Sequence, residues 1–373
     1  MAERQAAGCC MKGGIKMYAH GLVFGKFYPF HKGHHYLIRR AMEESAHVTV
    51  VVCSLLSETI PGVLRHAWVH QSVKEMLTEP EFAGKTADVI HLDQTVPQEP
   101  SEHPDFWAIW TGLLEGYLTP AHPKFDALFT SEDYGFQMAD CLNCTHVLVD
   151  KERLTHPVSG TLCRRFLNDK AGTHPEFTRF FQEYADIQTK APEPFHHRIV
   201  IVGSESTGKS TMTEKLADQL HAAAVLEYGR TYTDQFPLTG IQDFYILLQK
   251  QLHLFLHTPL EAVKNPILIC DTDAIVTQTF ADLYFPLREK EFDVLAEQHI
   301  HAYRQHADLY LFLKPTVKWV DDGTRLHEHY QEFAAQRIKE RLDKYGIAYA
   351  EIDHPDYDVR TEQAFQAVKK VLG

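Results

Sequence analysis

Apolar positions along this chain follow two rhythms that alternate. Residues 17 to 27, MYAHGLVFGKF, run as a strand into glycine, and the HHYLIRRAMEES that follows carries Tyr36, Leu37 and Ala41 near helical spacing. Residues 47 to 54, HVTVVVCS, form a continuous β-branched run, which predicts a strand buried on both faces, as in a parallel sheet. The segment therefore reads as a βαβ unit. FDALFTSEDYG (125 to 135) and THVLVD (145 to 150) predict later strands of the same sheet, each ending in polar residues where open α/β sheets bind ligands. From 161 to 188 the pattern is mostly helical.

TKAPEPFHH (189 to 197), with two prolines among charged neighbours, reads as a linker. A second strand, turn and helix then opens: RIVIVG (198 to 203), SESTGKS, and a helix on which Met212, Leu216 and Leu220 recur every four residues. PILICD (266 to 271) and DLYLFL (308 to 313) predict further strands. The fold class expected is α/β, with two parallel-sheet domains at 17–190 and 197–373 behind a flexible tail at 1–16. A length of 373 residues suits two cores better than one. No fixed-period repeat is present.

Composition narrows the function. With 37 basic and 50 acidic residues, the net charge of −13 opposes a nucleic-acid backbone, so no nucleic-acid partner is expected. No stretch is apolar for the roughly 18 residues of a membrane span, so no membrane insertion is expected. Seven cysteines fit reduced thiols and a cytoplasmic setting better than a disulfide framework. The only CxxC, Cys141 and Cys144, lacks a second pair, and His327 and His329 lack HExxH spacing, so neither gives a metal ligand set.

Two stretches carry phosphate chemistry. GSESTGKS (203 to 210) matches GxxxxGK[ST] in full and lies between a predicted strand and a predicted helix. Gly203 and Gly208 free backbone N–H groups to face phosphates, and Glu205, Ser206, Thr207 and Thr211 complete the loop around ATP. Lys209 supplies a point charge, and the Ser210 hydroxyl is placed for Mg²⁺. Asp271 closes an apolar strand as a Walker-B carboxylate does, and with Asp273 it makes a DTD. EYGRTY, with Glu227 and Arg230, and KWVDDGTRLH, with Trp319 and Arg325, fall where acceptor-site and lid residues would be delivered.

The other stretch, GKFYPFHKGH (25 to 34), places His31 and His34 three apart at a helix start, both able to face one anion. Imidazole donates hydrogen bonds to phosphate and, when protonated, stabilises charge on a transferring phosphoryl group. This run resembles the GxFxPxHxGH signature of the HxGH nucleotidyltransferase superfamily at Gly25, Phe27, Pro29, His31, Gly33 and His34. VSGTLCR (158 to 164) is similar to that superfamily's ISxTxxR signature, with Val158 in place of isoleucine. By that resemblance Ser159, Thr161 and Arg164 bind ATP phosphates.

With a Walker kinase behind it, the chain from about 17 onward resembles the NadR-type bifunctional enzymes, which join a nicotinamide-nucleotide adenylyltransferase to a ribosylnicotinamide kinase. The resemblance implies a Rossmann-like HxGH domain followed by a P-loop kinase domain, with ATP and Mg²⁺ as cofactors. Ribosylnicotinamide, nicotinamide mononucleotide and NAD are the small-molecule partners it implies, and a homo-oligomer is compatible with it. TSEDYG puts Ser131 on the ATP side, and FWAIW resembles the tryptophan pair near the nicotinamide. Trp107 or Trp110 would stack on the pyridinium, worth roughly 0.5 to 2 kcal/mol, or both are core residues. In the kinase half, Trp319 would cover the nicotinamide and Arg325 the transferred phosphate. Arg230 and Asp273 fall on the substrate side, Glu227 would accept the 5′-hydroxyl proton, and Asp271 would serve Mg²⁺. Longer members of the family begin with a helix-turn-helix domain, for which the sixteen-residue tail has no room, so no repressor role is expected. The alternatives are an HxGH enzyme acting on another phosphorylated substrate and a nucleotide sensor without turnover.

Overall fold

The β-branched run near the N-terminus becomes the interior of a parallel sheet. In the computed structural model of the protein, which describes residues 11–12, 15–260, 264–319 and 330–373, the chain divides into two compact units, Met1–Gln182 and Glu183–Gly373. The first is built on β1 (Tyr18–Gly25), β2 (Ser45–Cys53), β3 (Thr86–Leu92), β4 (Ala127–Thr130) and β5 (Thr145–Leu148), all parallel, in the order β3-β2-β1-β4-β5. Val48, Val50, Val51 and Val52 are almost wholly buried because helices cover both faces of the sheet. Those helices are α1 (Lys32–Glu44), α2 (Gly62–Met76), α3 (Phe106–Glu115), α4 (Tyr134–Cys141), α5 (Gly160–Asn168) and α6 (Arg179–Thr189). The strand order reverses between β1 and β4, which opens a crevice at their carboxyl ends.

The second unit repeats the plan with a different order. β6 (His197–Gly203), β7 (Ala223–Val225), β8 (Ile267–Asp271), β9 (Leu309–Leu313) and β10 (Tyr349–Ile352) pair in parallel as β10-β9-β6-β8-β7, with β6 central. Its helices after α6 are α7 (Lys209–Leu220), α8 (Tyr228–Thr233), α9 (Ile241–His257), α10 (Ala274–Tyr284), α11 (Lys290–His306), α12 (Tyr330–Lys344) and α13 (Tyr357–Leu372). No helix among the described residues is long and apolar enough to cross a membrane.

Three details differ from the sequence reading. The strand expected over 125 to 135 ends at Thr130, because Tyr134 already begins α4. Within the segment read as a loose tail, Met11–Lys12 pairs antiparallel with Ile15–Lys16. The division between units falls inside α6, ahead of the proline-bearing stretch at 189 to 197. Phe181 packs beside Trp68 at 6.4 Å in the first unit, whereas Glu183 pairs with Lys250 at 2.7 Å in the second.

Candidate active sites

In the first unit the carboxyl ends of β1 and β4 and the amino ends of α1 and α5 enclose a cavity of about 770 Å³. Its floor is the glycine and histidine turn. His31 is the extended N-cap of α1: its Nδ1 accepts the His34 N–H at 3.4 Å, and the His34 Nδ1 accepts the His31 N–H at 3.5 Å. This is a reciprocal capping box made of two imidazoles, which satisfies orphan donors of the helix start. The rings lie 3.7 Å apart and nearly parallel. A Cβ on Gly33 would come within 3.2 Å of the His31 ring, so the glycine between the histidines lets that ring lie flat.

Burial pushes His31 well below the ordinary imidazole range, helped by His34 and Arg153, and lowers His34 to about 3. Both are therefore neutral near pH 7. Because each Nδ1 accepts a backbone N–H, the proton of each neutral ring sits on Nε2, and the His34 ring is also hydrogen-bonded to the Pro29 carbonyl. Their protein surroundings thus disfavour the protonated imidazole, whereas the charge of a bound triphosphate would act in the opposite direction.

The second signature forms the opposite wall. Ser159 caps α5 by accepting the Leu162 N–H at 3.2 Å, and Thr161 accepts from Arg164 at 3.2 Å. Arg164 also donates to the Tyr28 carbonyl at 2.5 Å and lies 4.5 Å from the centre of the Tyr28 ring. Gly25, Ser131, Ser159, Thr161 and Arg164 all line the cavity, and a Cβ on Gly25 would meet no protein atom within 4 Å. Phe27 lines it too, but the ring is buried 5.1 Å from His34 and beside Phe30, where it holds the imidazole in place.

The tryptophan pair is placed differently from the stacking expectation. Trp110 is buried in the core beside Phe24, with its indole N–H donated to the Pro97 carbonyl at 2.9 Å, and half-buried Trp107 packs on Phe106. Neither lines the cavity. Sequence reasoning passed over Arg65, whose wholly buried guanidinium donates to the carbonyls of Ile60 (3.1 Å), Cys53 (3.2 Å) and Lys26 and pairs with Glu58. A lone arginine inside the apolar helical run GVLRHAW was its one signal.

In the second unit a cavity of about 210 Å³ lies at the carboxyl ends of β6 and β8. Glu205, Ser206, Thr207, Gly208, Lys209, Ser210 and Thr211 form one side, with Glu227 and Arg230 across from them. Gly208 sits at φ +84°, and a Cβ there would lie 2.9 Å from the Tyr357 ring. Gly203 serves packing instead: a Cβ would press to 2.7 Å from the Leu313 carbonyl on β9. The Lys209 ammonium donates to the Ser204 carbonyl at 3.1 Å.

Asp271 ends β8 fully buried, and its carboxyl is raised to about 6 by that burial and by the Glu227 charge, against the pull of Lys209 and Ser210. Its Oδ2 has no hydrogen-bond partner. An orphaned buried carboxylate oxygen beside the Ser210 hydroxyl supplies two hard oxygen donors of the kind Mg²⁺ takes together with substrate phosphates and water, so these residues fit part of its shell. Gln251, unremarked in the sequence, ties the site together by accepting the Tyr228 N–H at 2.8 Å and donating to the Asp271 carbonyl at 2.9 Å.

Asp273 departs from its expected substrate-side role. It is the buried N-cap of α10, accepting from Ile275 (2.9 Å), Val276 (3.2 Å) and the Tyr310 hydroxyl (3.1 Å), and it is absent from the cavity lining. Trp319 is half-buried and also absent from that lining, and Arg325 lies outside the described residues.

The family described as AAA domain matches residues 198–360. The trifunctional NAD biosynthesis/regulator protein NadR of Escherichia coli strain K12 is 28% identical over 378 aligned positions, covering 95% of this chain and 83% of that one. Its Salmonella typhimurium counterpart is 28% identical with the same coverage. Among solved structures, a NadR protein in complex with NAD and AMP-PNP aligns over 95% of this chain and 96% of its own at 20% identity and a TM-score of 0.39.

Proposed function

We propose that this chain, which resembles the NadR proteins over 95% of its length, makes NAD by salvage in two steps that each consume ATP. One observation carries the reading: each unit has a cavity at the carboxyl end of its parallel sheet, and each cavity is lined by the phosphate-binding motif of that half. The second unit phosphorylates ribosylnicotinamide to nicotinamide mononucleotide, and the first adenylylates the mononucleotide to NAD.

In the kinase step the 5′-hydroxyl oxygen of ribosylnicotinamide bonds to the γ-phosphorus of ATP. The bond to the bridging oxygen breaks, ADP leaves, and Glu227 takes the hydroxyl proton. Lys209 and the N–H groups of the loop hold the phosphates, with Arg230 facing them from α8. Mg²⁺, when bound, screens the triphosphate charge, and Ser210 and Asp271 are the residues that would hold it.

In the adenylyl step a phosphate oxygen of the mononucleotide bonds to the α-phosphorus of a second ATP, and pyrophosphate leaves with the electron pair of the broken bond. His31 and His34 donate Nε2–H hydrogen bonds to the phosphates as neutral groups, while Ser159, Thr161 and Arg164 hold the triphosphate from the facing wall. No covalent enzyme intermediate is required, which suits sites built from Gly, His, Lys and Arg. Chromatography of a reaction containing ribosylnicotinamide, ATP and Mg²⁺ tests the reading: NAD, ADP and pyrophosphate are expected.

A further inference from the structure

Arg153 is absent from both signatures, yet it lines the first unit's cavity together with His31, His34 and Arg164. It sits in a preformed loop. The Asp150 carboxylate accepts the N–H groups of Leu154 (2.9 Å), Thr155 (3.2 Å) and His156 (3.2 Å), which fixes the backbone on either side of it. Arg153 itself, 44% exposed, meets one acid, Glu132, at 3.1 Å; Glu132 is 58% exposed and lines the same cavity. An ion pair this open to water is weak and exchangeable. The arginine's charge nevertheless reaches both imidazoles and lowers each.

We propose that Arg153 is a further phosphate-binding residue of this cavity, parked on Glu132 and transferred to the triphosphate when nucleotide enters. The inference rests on the reading of this cavity as the adenylyl-transfer site. Arg153 and Arg164, lining one cavity with the two imidazoles, make an anion site with two permanent cations, and an incoming triphosphate offers Arg153 a bidentate partner of higher charge than one carboxylate.

Initial rates of NAD formation from nicotinamide mononucleotide, with ATP varied, test this on the full chain. Arg153→Ala is expected to raise KM for ATP about tenfold, the scale of one lost charge-assisted bond, with a much smaller change in kcat. Arg153→Lys keeps the charge and should fall between. Glu132→Gln should lower KM for ATP, and that gain should vanish when Arg153→Ala is also present. A KM in Arg153→Ala within twofold of the parent, a loss confined to kcat, or a Glu132→Gln effect indifferent to Arg153 would overturn the proposal. If the parent forms no NAD at all, the adenylylation reading fails instead. Calorimetric ATP binding by the Lys209→Ala protein, with and without Arg153→Ala, then decides the Arg153 contact by the same tenfold criterion in Kd.

Discussion

His31 and His34 work as a pair because each accepts the other's backbone N–H, which fixes both rings at the start of α1. The glycines nearby have separate tasks. Gly160 lets the start of α5 reach the Tyr28 carbonyl, since a Cβ there would come within 2.4 Å of that oxygen. Gly160→Ala should therefore push Arg164 and Thr161 off the cavity wall and lower kcat/KM for NAD formation at least about tenfold, measured with nicotinamide mononucleotide and ATP. At this scale the sequence was informative where a motif dictates backbone geometry, as in GKFYPFHKGH and GSESTGKS. It was uninformative where only residue type was available. Trp110 and Asp273 have the chemistry of ligand contacts, but one donates its N–H to a core carbonyl and the other caps a helix, and no spacing rule separates those roles.

The P-loop is held from behind by α13. The wholly buried Arg360 donates to the Thr207 carbonyl at 3.2 Å and to the carbonyls of Lys314 (3.2 Å) and His354 (3.1 Å). Arg360→Met keeps the bulk and leaves those carbonyls unpartnered. It should cost about 3 kcal/mol in chemical denaturation and raise the kinase KM for ATP. An arrangement of this kind is hidden from sequence reading because the partners lie 153 residues apart. The central strands were legible from their unbroken apolar runs, which burial on both faces requires. The strands β3, β7 and β10 were not singled out: β3 and β10 are largely half-exposed and β7 is three residues long, so none presents such a run.

Acid should separate the two units of the whole molecule. In the first, burial lowers His20, His35 and His66 to about 4 and His34 to about 3. Unfolded, these groups take up protons near pH 6.5, so the stability they contribute is full above that pH and drains as the pH falls toward 4. In the second, His257 and His299 behave likewise, but buried Asp271 and Asp273, raised to about 6, have the opposite sign and are relieved as they protonate. Three of the four tryptophans, Trp68, Trp107 and Trp110, belong to the first unit, and Trp319 belongs to the second. Thermal scans from pH 7 to pH 5 should then show the tryptophan-fluorescence midpoint falling further than the circular-dichroism midpoint. The proposed division of labour between the units is tested most directly by product chromatography. Ribosylnicotinamide, ATP and Mg²⁺ are supplied to the parent, to Lys209→Ala and to His34→Ala. The account predicts NAD from the parent, neither nucleotide from Lys209→Ala, and accumulation of the mononucleotide with His34→Ala. A parent that stops at the mononucleotide, or a His34→Ala protein that still makes NAD at the parent's rate, would contradict it.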